Sequence, residues 1–353
     1  MQEQLDECRW LYNELLSQRK LAYDELDVSL SKYQQSMFLP LLKEERPMLK
    51  KVHSQVLQNI VDRLDLAFQS FFRRCKTGEK PGFPRFRGIH RYDSFCYPQS
   101  GFTLLGREIY LSKIGKIRIK MHRPVVGEIK TCTIKKTAAG AWDICLSCEV
   151  NVDPLPPQAE AIAIDVGLES FATLSNGQKI ENPRFFKKGE QRLAKAQRKL
   201  SKHAKGTKER RKVGKVVARI HERIKNQRKD FCHKEARKII EQYQYICVED
   251  LDIKNMIEGS HFAKSIVDAS WNQFRQFLTY KAAEAGRKIG LVNPAYTSQT
   301  CSQCGHLEHK KLTVRVHRCS QCGYVADRDF NAAQNILALG LDGLGAIPRS
   351  LRL

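Results

Sequence analysis

Three acidic residues stand where a carboxylate could do chemistry. The apolar run Ala161-Ile-Ala-Ile ends in Asp165, followed by Val166 and Gly167. The run Tyr245-Ile-Cys-Val ends in Glu249. The segment DRDFNAAQNI, 327–336, reads as a helix start, with Asp329 one turn before Ala332 and Ala333. A strand that ends in an acid is common, and none of the three is distinctive alone. Together, two strand ends and a helix can bring three carboxylates to one point. Hard Mg²⁺ or Mn²⁺ ions take such oxygens as ligands. Two ions ~3.5–4 Å apart activate a water and stabilise the leaving 3′ oxygen when a phosphodiester is hydrolysed. An all-acid site repels a polyanion, so this chemistry needs positive charge around it.

A second set consists of thiols. CSQC occupies 301–304 and again 319–322, with 14 residues between them. Each pair is followed by glycine, Gly305 or Gly323, a C-x-x-C-G knuckle that turns backbone amides toward the thiolates. Cys301, Cys304, Cys319 and Cys322 predict a tetrahedral Zn²⁺ site with no open position, hence a structural one. His306, His309 and His317 lie between the knuckles and are not needed as ligands. Cys145 and Cys148 form a further C-x-x-C, but within a strand pattern and without a partner pair, so they are expected to pack. The N-terminus, MQEQLDECRW, is acidic and polar, unlike a secretory signal, and the 12 cysteines are read as reduced.

These residues need elements to position them. The apolar runs before Asp165 and Glu249 have the length of buried central strands. Further upstream, 92–152 looks like β structure, with KTCTIKKT and WDICLSCEV alternating apolar and polar residues around a Gly-containing turn. A small barrel or sandwich would accommodate it. Residues 1–75 read as helical, one helix near 5–27 and another with Val52, Val56, Ile60, Leu64, Phe68 and Phe71 at helical spacing. Pro40 and Pro47 punctuate the connection between them. NVDPLPPQAE, 151–160, reads as a linker.

Charge supplies the rest. The chain has 61 Lys and Arg against 38 Asp and Glu, a net +23 over 353 residues. A chain this basic is expected to meet a polyanion, because phosphate contacts release counterions. The excess is concentrated. Residues 184–229 hold 19 Lys and Arg against three Glu. They suit helices with a thin apolar stripe weakened at Gly189, Gly206 and Gly214, and a bound nucleic acid would relieve their repulsion. Residues 73–91 mix seven Lys or Arg with Phe83, Phe86, three glycines and two prolines, a composition that can contact phosphates and stack on bases. The candidate nucleic-acid contacts are Arg73, Arg74, Lys76, Lys80, Arg85 and Arg87 in one region and Arg198, Lys199, Lys202, Arg210, Arg211 and Lys212 in the other. No stretch approaches ~18 uninterrupted apolar residues, so no membrane span is expected.

The ordered combination IDVG, VED, paired C-x-x-C-G knuckles and DRDFNAAQNI resembles TnpB, the OrfB-type family of bacterial insertion sequences, related to type V CRISPR effectors and Fanzor proteins. CRWLYNELL near the start and KPGFPRFR at 80–87 share that resemblance, which covers nearly the whole chain. It implies an α/β RNase H-like (RuvC) nuclease domain over 160–353, with the basic helical insert at 184–229 and a zinc ribbon at 297–325. Before it would come a helical module over 1–75 and a small β-barrel (WED-like) module over 76–152. The implied activity is RNA-guided DNA cleavage, with Asp165, Glu249 and Asp329 catalytic on Mg²⁺ or Mn²⁺. Asp329 is preferred to Asp327 because the family's third acid precedes x-N-A-A, and Asp327 would orient a neighbour. The implied partners are a guide RNA from the transposon end and double-stranded target DNA with a short flanking motif. Guide pairing supplies the sequence specificity, and the compartment is the cytoplasm, at a bacterial or archaeal nucleoid. Members usually open with a short β-strand before the first helix. This chain opens almost in that helix, with CRW at 8–10, so a shortened start is expected.

Three other functions make different demands on the same residues. A nuclease-inactive RNA-guided regulator would be expected to lose acids that are present here. A strand-transfer transposase of RNase H type orders its acids Asp, Asp, Glu, not Asp, Glu, Asp. A non-catalytic zinc-ribbon RNA-binding protein predicts acids that do not converge.

Overall fold

A computed structural model describes residues 1–89, 91–311 and 314–345. The chain divides into two compact units, Met1–Asn151 and Val152–Leu353. The division falls at the head of the proline-rich stretch expected to be a linker.

The first unit begins with α1 (Gln2–Leu26), α2 (Lys32–Met37), α3 (Leu39–Glu45), a 3₁₀ turn (Pro47–Lys51) and α4 (Ser54–Lys76). Apolar side chains at helical spacing bury α1 on α4, among them Leu11, Leu15, Val56, Ile60 and Leu64. Pro40 and Pro47 each lie in a first turn, where a missing N–H breaks no bond. Val52, expected on the α4 stripe, is buried but lies just outside the helix, at the end of the 3₁₀ turn.

Antiparallel strands follow: β1 (Ser94–Tyr97), β2 (Phe102–Leu105), β3 (Glu108–Leu111), β4 (Gly115–Arg118), β5 (Glu128–Lys136) and β6 (Trp142–Glu149). They form two three-stranded sheets, β1-β5-β6 and β2-β3-β4, whose inward residues join the helical core. Cys145 and Cys148 lie three apart on β6, hence on opposite faces. Cys145 is exposed, which corrects its expected role as packing. Among the described residues of 77–93 there is no helix or strand. Phe83 in that stretch is exposed on one side and rests on the end of α4, its ring centroid 5.5 Å from that of Phe68 and 5.3 Å from that of Phe71.

The second unit is built on β7 (Ala161–Val166), β8 (Ser170–Leu174) and β9 (Lys179–Glu181), then α5 (Phe185–Ser201), α6 (Lys208–Gln242) and β10 (Tyr245–Glu249). The short α7 (Ile253–Ile257) and α8 (Ala263–Ala269) lead to α9 (Trp271–Ala285) and β11 (Lys288–Val292). A small hairpin, β12 (Val316–Arg318) and β13 (Val325–Asp327), precedes α10 (Arg328–Gly343). The main sheet has the order β11-β10-β7-β8-β9, with β7, β10 and β11 parallel and β8 antiparallel to both its neighbours, β7 and β9.

The central strands are apolar on both faces because both are covered. Ile162, Ile164, Ile246 and Val248 bury against α6 and α9 through Ala236, Ile239, Ile240, Phe274 and Leu278. The alternate residues Ala163 and Cys247 pack with Val292 and with Ile336 of α10. The basic segment is an α5–α6 hairpin around Leu193, Ile220 and Ile224. Of its three glycines only Gly206, at φ 91°, lies between the helices. Gly189 lies within α5 at a tight contact, its Cβ position 2.9 Å from Ile224 Cδ1. Helix α6 runs past the expected end of the insert, because Cys232, Ala236, Ile239 and Ile240 continue its apolar face into the core.

Candidate active site and metal centre

Strands β7 and β10 are in parallel register, with Val248 opposite Ile164. Asp165 and Glu249 are each the next residue, so they emerge side by side at the carboxyl ends of adjacent strands. Two residues earlier, Ala163 and Cys247 face α10. Strand alternation therefore points both acids toward the α10 side. That helix starts where it does because Asp327 caps it. Its Oδ1 accepts the N–H of Asp329 at 3.0 Å and of Phe330 at 3.1 Å. Asp329 thus falls in the first turn, and its Oδ2 lies 4.0 Å from the place a Cβ on Gly167 would occupy. The tighter neighbour of that position is the Ser170 carbonyl oxygen at 3.1 Å, so the glycine eases the turn between β7 and β8, and Asp329 stands beside it at ordinary contact distance.

The electrostatics bear most on Asp165. Burial holds the Asp165 carboxyl well above the usual carboxylate range, and the charges of Glu249 and Asp329 push it further, with Arg328 opposing. Burial also raises Glu249, against the Thr297 hydroxyl, which donates to Glu249 Oε1 at 2.7 Å. Asp327 goes the other way. Burial raises it, but Lys179 Nζ at 2.8 Å and the helix N–H groups outweigh that and hold it low. Arg328 Nε lies 3.2 Å from Asp329 Oδ1. Sheltered carboxyls that repel one another are what a hard divalent cation relieves, and the oxygen-only donor set fits Mg²⁺ or Mn²⁺.

The cysteine set closes as its spacing predicted. The Sγ atoms of Cys301, Cys304, Cys319 and Cys322 lie within 4.8 Å of one another. Cys301 and Cys322 are 3.7 Å apart, and Cys304 and Cys319 are 3.6 Å apart. Tetrahedral Zn–S bonds of about 2.3 Å require S···S near 3.8 Å, so the donors fit zinc. Gly305 and Gly323, at φ 75° and 73°, close the two knuckles by bonding back to the Cys301 and Cys319 carbonyls. The histidines lie outside this set: His306 is beside Glu308 and Ser320, His309 is exposed, and His317 is buried beside Lys310.

Among the basic residues, Arg73, Lys76, Lys80, Arg85 and Arg87 are exposed, as are Arg198, Lys199, Lys202, Arg211 and Lys212. Arg74 is half-buried, 3.9 Å from Glu79. Arg87 is anchored from below, its backbone bonded to the Asn13 amide and its guanidinium 5.4 Å from the Tyr12 ring. Arg210 turns inward and donates to the Leu200 and His203 carbonyls at 2.9 and 2.7 Å, which ties it to the α5–α6 turn.

Three residues were missed from the sequence. Asn331 is fully buried; it donates to the Thr300 carbonyl at 2.7 Å and accepts from Ser302 N–H at 3.0 Å. Asn335 donates to the Thr297 and Thr300 carbonyls at 2.8 and 2.7 Å. Thr297 holds Glu249. The available signal was two asparagines four apart on α10, one face of a helix.

The comparisons with known proteins follow the same lines. A family model, OrfB_IS605, described as "Probable transposase", matches residues 144–259, and a Cas12f1-like TNB domain model matches 271–336. A protein of Streptomyces pristinaespiralis named as an RNA-guided DNA endonuclease is 35% identical over 330 residues, spanning 92% of this chain and 79% of that one. A protein of Escherichia coli (strain K12) named "Putative RNA-guided DNA endonuclease InsQ" is 32% identical over 355 residues, spanning 94% of this chain and 86% of that one. The fold is similar to that of Cas12f1 solved with sgRNA and target DNA, with a TM-score of 0.61 at 16% identity over 95% of this chain and 81% of that one.

Proposed function

This chain belongs to the OrfB/TnpB family of RNA-guided DNA endonucleases, and from that premise we propose that it cuts guide-matched DNA with Asp165, Glu249 and Asp329 as its catalytic residues. The observation that supports the site is geometric: Asp165 and Glu249 end adjacent parallel strands on the side covered by α10, whose first turn carries Asp329. These carboxylates would hold Mg²⁺ or Mn²⁺. When bound there, such ions supply an activated water and stabilise the leaving oxygen of the phosphodiester. The chain's own groups do the rest. The Thr297 hydroxyl orients Glu249, the Asp327 cap fixes the first turn that carries Asp329, and Lys179 keeps Asp327 engaged there.

On this proposal the second unit is an RNase H-like (RuvC) frame over 160–353, and the four thiolates hold structural Zn²⁺. The helices of 1–75 and the β structure of 76–152 form the helical and WED-like modules that meet the flanking motif and the guide. The exposed cations of the α5–α6 hairpin face the nucleic acid, whose charge offsets their repulsion. The guide would be an RNA from the transposon end. Among the described residues no helix is long and apolar enough to cross a membrane.

The test is cleavage of guide-matched DNA in Mg²⁺ by the protein with its copurified RNA. Asp165→Asn and Glu249→Gln are expected to lose cutting by ~10³-fold or more, about 4 kcal/mol, and still bind the guide. Parent-like cutting by either variant would remove these residues from the active site.

A further inference from the structure

We infer that Thr297 is a positioning residue for Glu249, so that the stem of the cysteine ribbon sets the orientation of a catalytic carboxylate. The inference rests on the endonuclease function proposed above. Thr297 is 4% exposed, and its hydroxyl has two acceptors, Glu249 Oε1 at 2.7 Å and the Pro294 carbonyl at 3.1 Å. A hydroxyl has one proton, and an ionised carboxylate is the stronger acceptor. The proton therefore goes to Glu249 whenever that residue is charged. Glutamate has three side-chain torsions, and a buried charged hydrogen bond restricts them to one arrangement.

Thr297 is itself held. Asn335 bonds its carbonyl, and Asn331 and Asn335 together bond the Thr300 carbonyl and the Ser302 amide on either side of Cys301. Asn331, Asn335 and Asp329 share α10. One helix therefore carries one acid directly and steadies a second through the ribbon stem. The ribbon contributes no ligand to the carboxylate site, yet its first knuckle is bonded to the helix and its stem to Glu249.

The experiment compares the zinc-loaded, full-length parent with Thr297→Val, which keeps the shape and removes the hydroxyl, and Thr297→Ser, which keeps the hydroxyl. Mn²⁺ binding to the nucleic-acid-free protein is measured by electron paramagnetic resonance, with Asp165→Asn as the background. Zinc content and melting temperature are measured on the same samples, and the Mg²⁺ concentration for half-maximal cleavage on the RNA-loaded form. Loss of a residue that orients a metal ligand costs about 10–100-fold in metal affinity. Thr297→Val is expected to show that loss and a matching rise in Mg²⁺ requirement, with zinc and melting unchanged. Thr297→Ser is expected to restore both. Mn²⁺ affinity and Mg²⁺ requirement within about twofold of the parent in a zinc-loaded, folded Thr297→Val protein would overturn the inference. Should the valine variant not fold, Thr297→Ala is judged by the same criteria. A parent that cuts no guide-matched DNA yet binds Mn²⁺ in a Thr297-dependent way leaves this inference standing and sinks the proposed function.

Discussion

The two aspartates of DRD divide their labour through geometry. Asp327 accepts two helix N–H groups and pairs with Lys179, whereas Asp329 lies inside the first turn beside Arg328. Asparagine caps a helix about as well as aspartate. Asp327→Asn is therefore expected to keep cutting within about tenfold of the parent, and Asp329→Asn to lose ~10³-fold or more, assayed side by side on guide-matched DNA. The raised carboxyls also fix a pH dependence. Folded Asp165 and Glu249 hold their protons to higher pH than the unfolded chain does. These two groups therefore take stability from the metal-free protein as pH rises from about 4 through the raised values, because their ionisation is costlier in the folded state, while His53 and His317, held low, act in the opposite sense below about 6.5. Thermal melts of the parent and Asp165→Asn without divalent ions, compared across that window, isolate the contribution of the acid. Asp165→Asn should melt higher than the parent at neutral pH, by a margin that shrinks as pH falls toward 4. Mg²⁺ should raise the melting temperature of the parent more than that of the variant.

At the scale of elements, the site depends on how closely α10 lies on the sheet. A Cβ on Gly340 would sit 2.3 Å from Cys247 Sγ and 2.5 Å from its Cβ. Gly340→Ala must push the helix off β10, at a cost of about 1–3 kcal/mol read by denaturant unfolding. Gly343→Ala, with nothing within 4 Å, is the control and should be neutral or gain up to about 1 kcal/mol. The ribbon is coupled to the same helix through Asn331 and Asn335. Stripping zinc with a chelator, or Cys319→Ser, should release one zinc per chain by metal analysis and lower the melting temperature. Cutting should fall with it. Unchanged cutting by zinc-free protein would make the ribbon dispensable to the site.

Across the whole chain, the dominant property is charge: 61 Lys and Arg against 38 Asp and Glu. Binding to RNA should weaken steeply with salt, because each neutralised phosphate releases a counterion. Replacing Arg198, Lys199, Lys202, Arg211 and Lys212 by Gln removes five exposed cations from the α5–α6 hairpin. The slope of log affinity against log salt should become shallower by roughly 3 to 4, with zinc content and melting unaffected. An unchanged slope would place the nucleic acid elsewhere. Arg210 is left out of that set because its guanidinium closes the turn between the helices.

Much of this was legible in the residues alone. The cysteine spacing fixed the thiolate set, since a knuckle is a local structure with ligands close in sequence. The apolar runs ending in Asp165 and Glu249 marked the central strands, because strands covered on both faces must be apolar throughout. The periodicity of 52–72 gave the buried face of α4. The tertiary structure alone decided that Asp165 and Glu249 face the helix that carries Asp329, that Asp327 serves as a cap, that Arg210 turns inward and that Thr297 reaches Glu249. Each is a through-space contact across a strand pair, a helix packed on a sheet or a turn. A linear pattern records what a side chain can do, whereas its partner depends on which distant segment the packed core brings within hydrogen-bond reach.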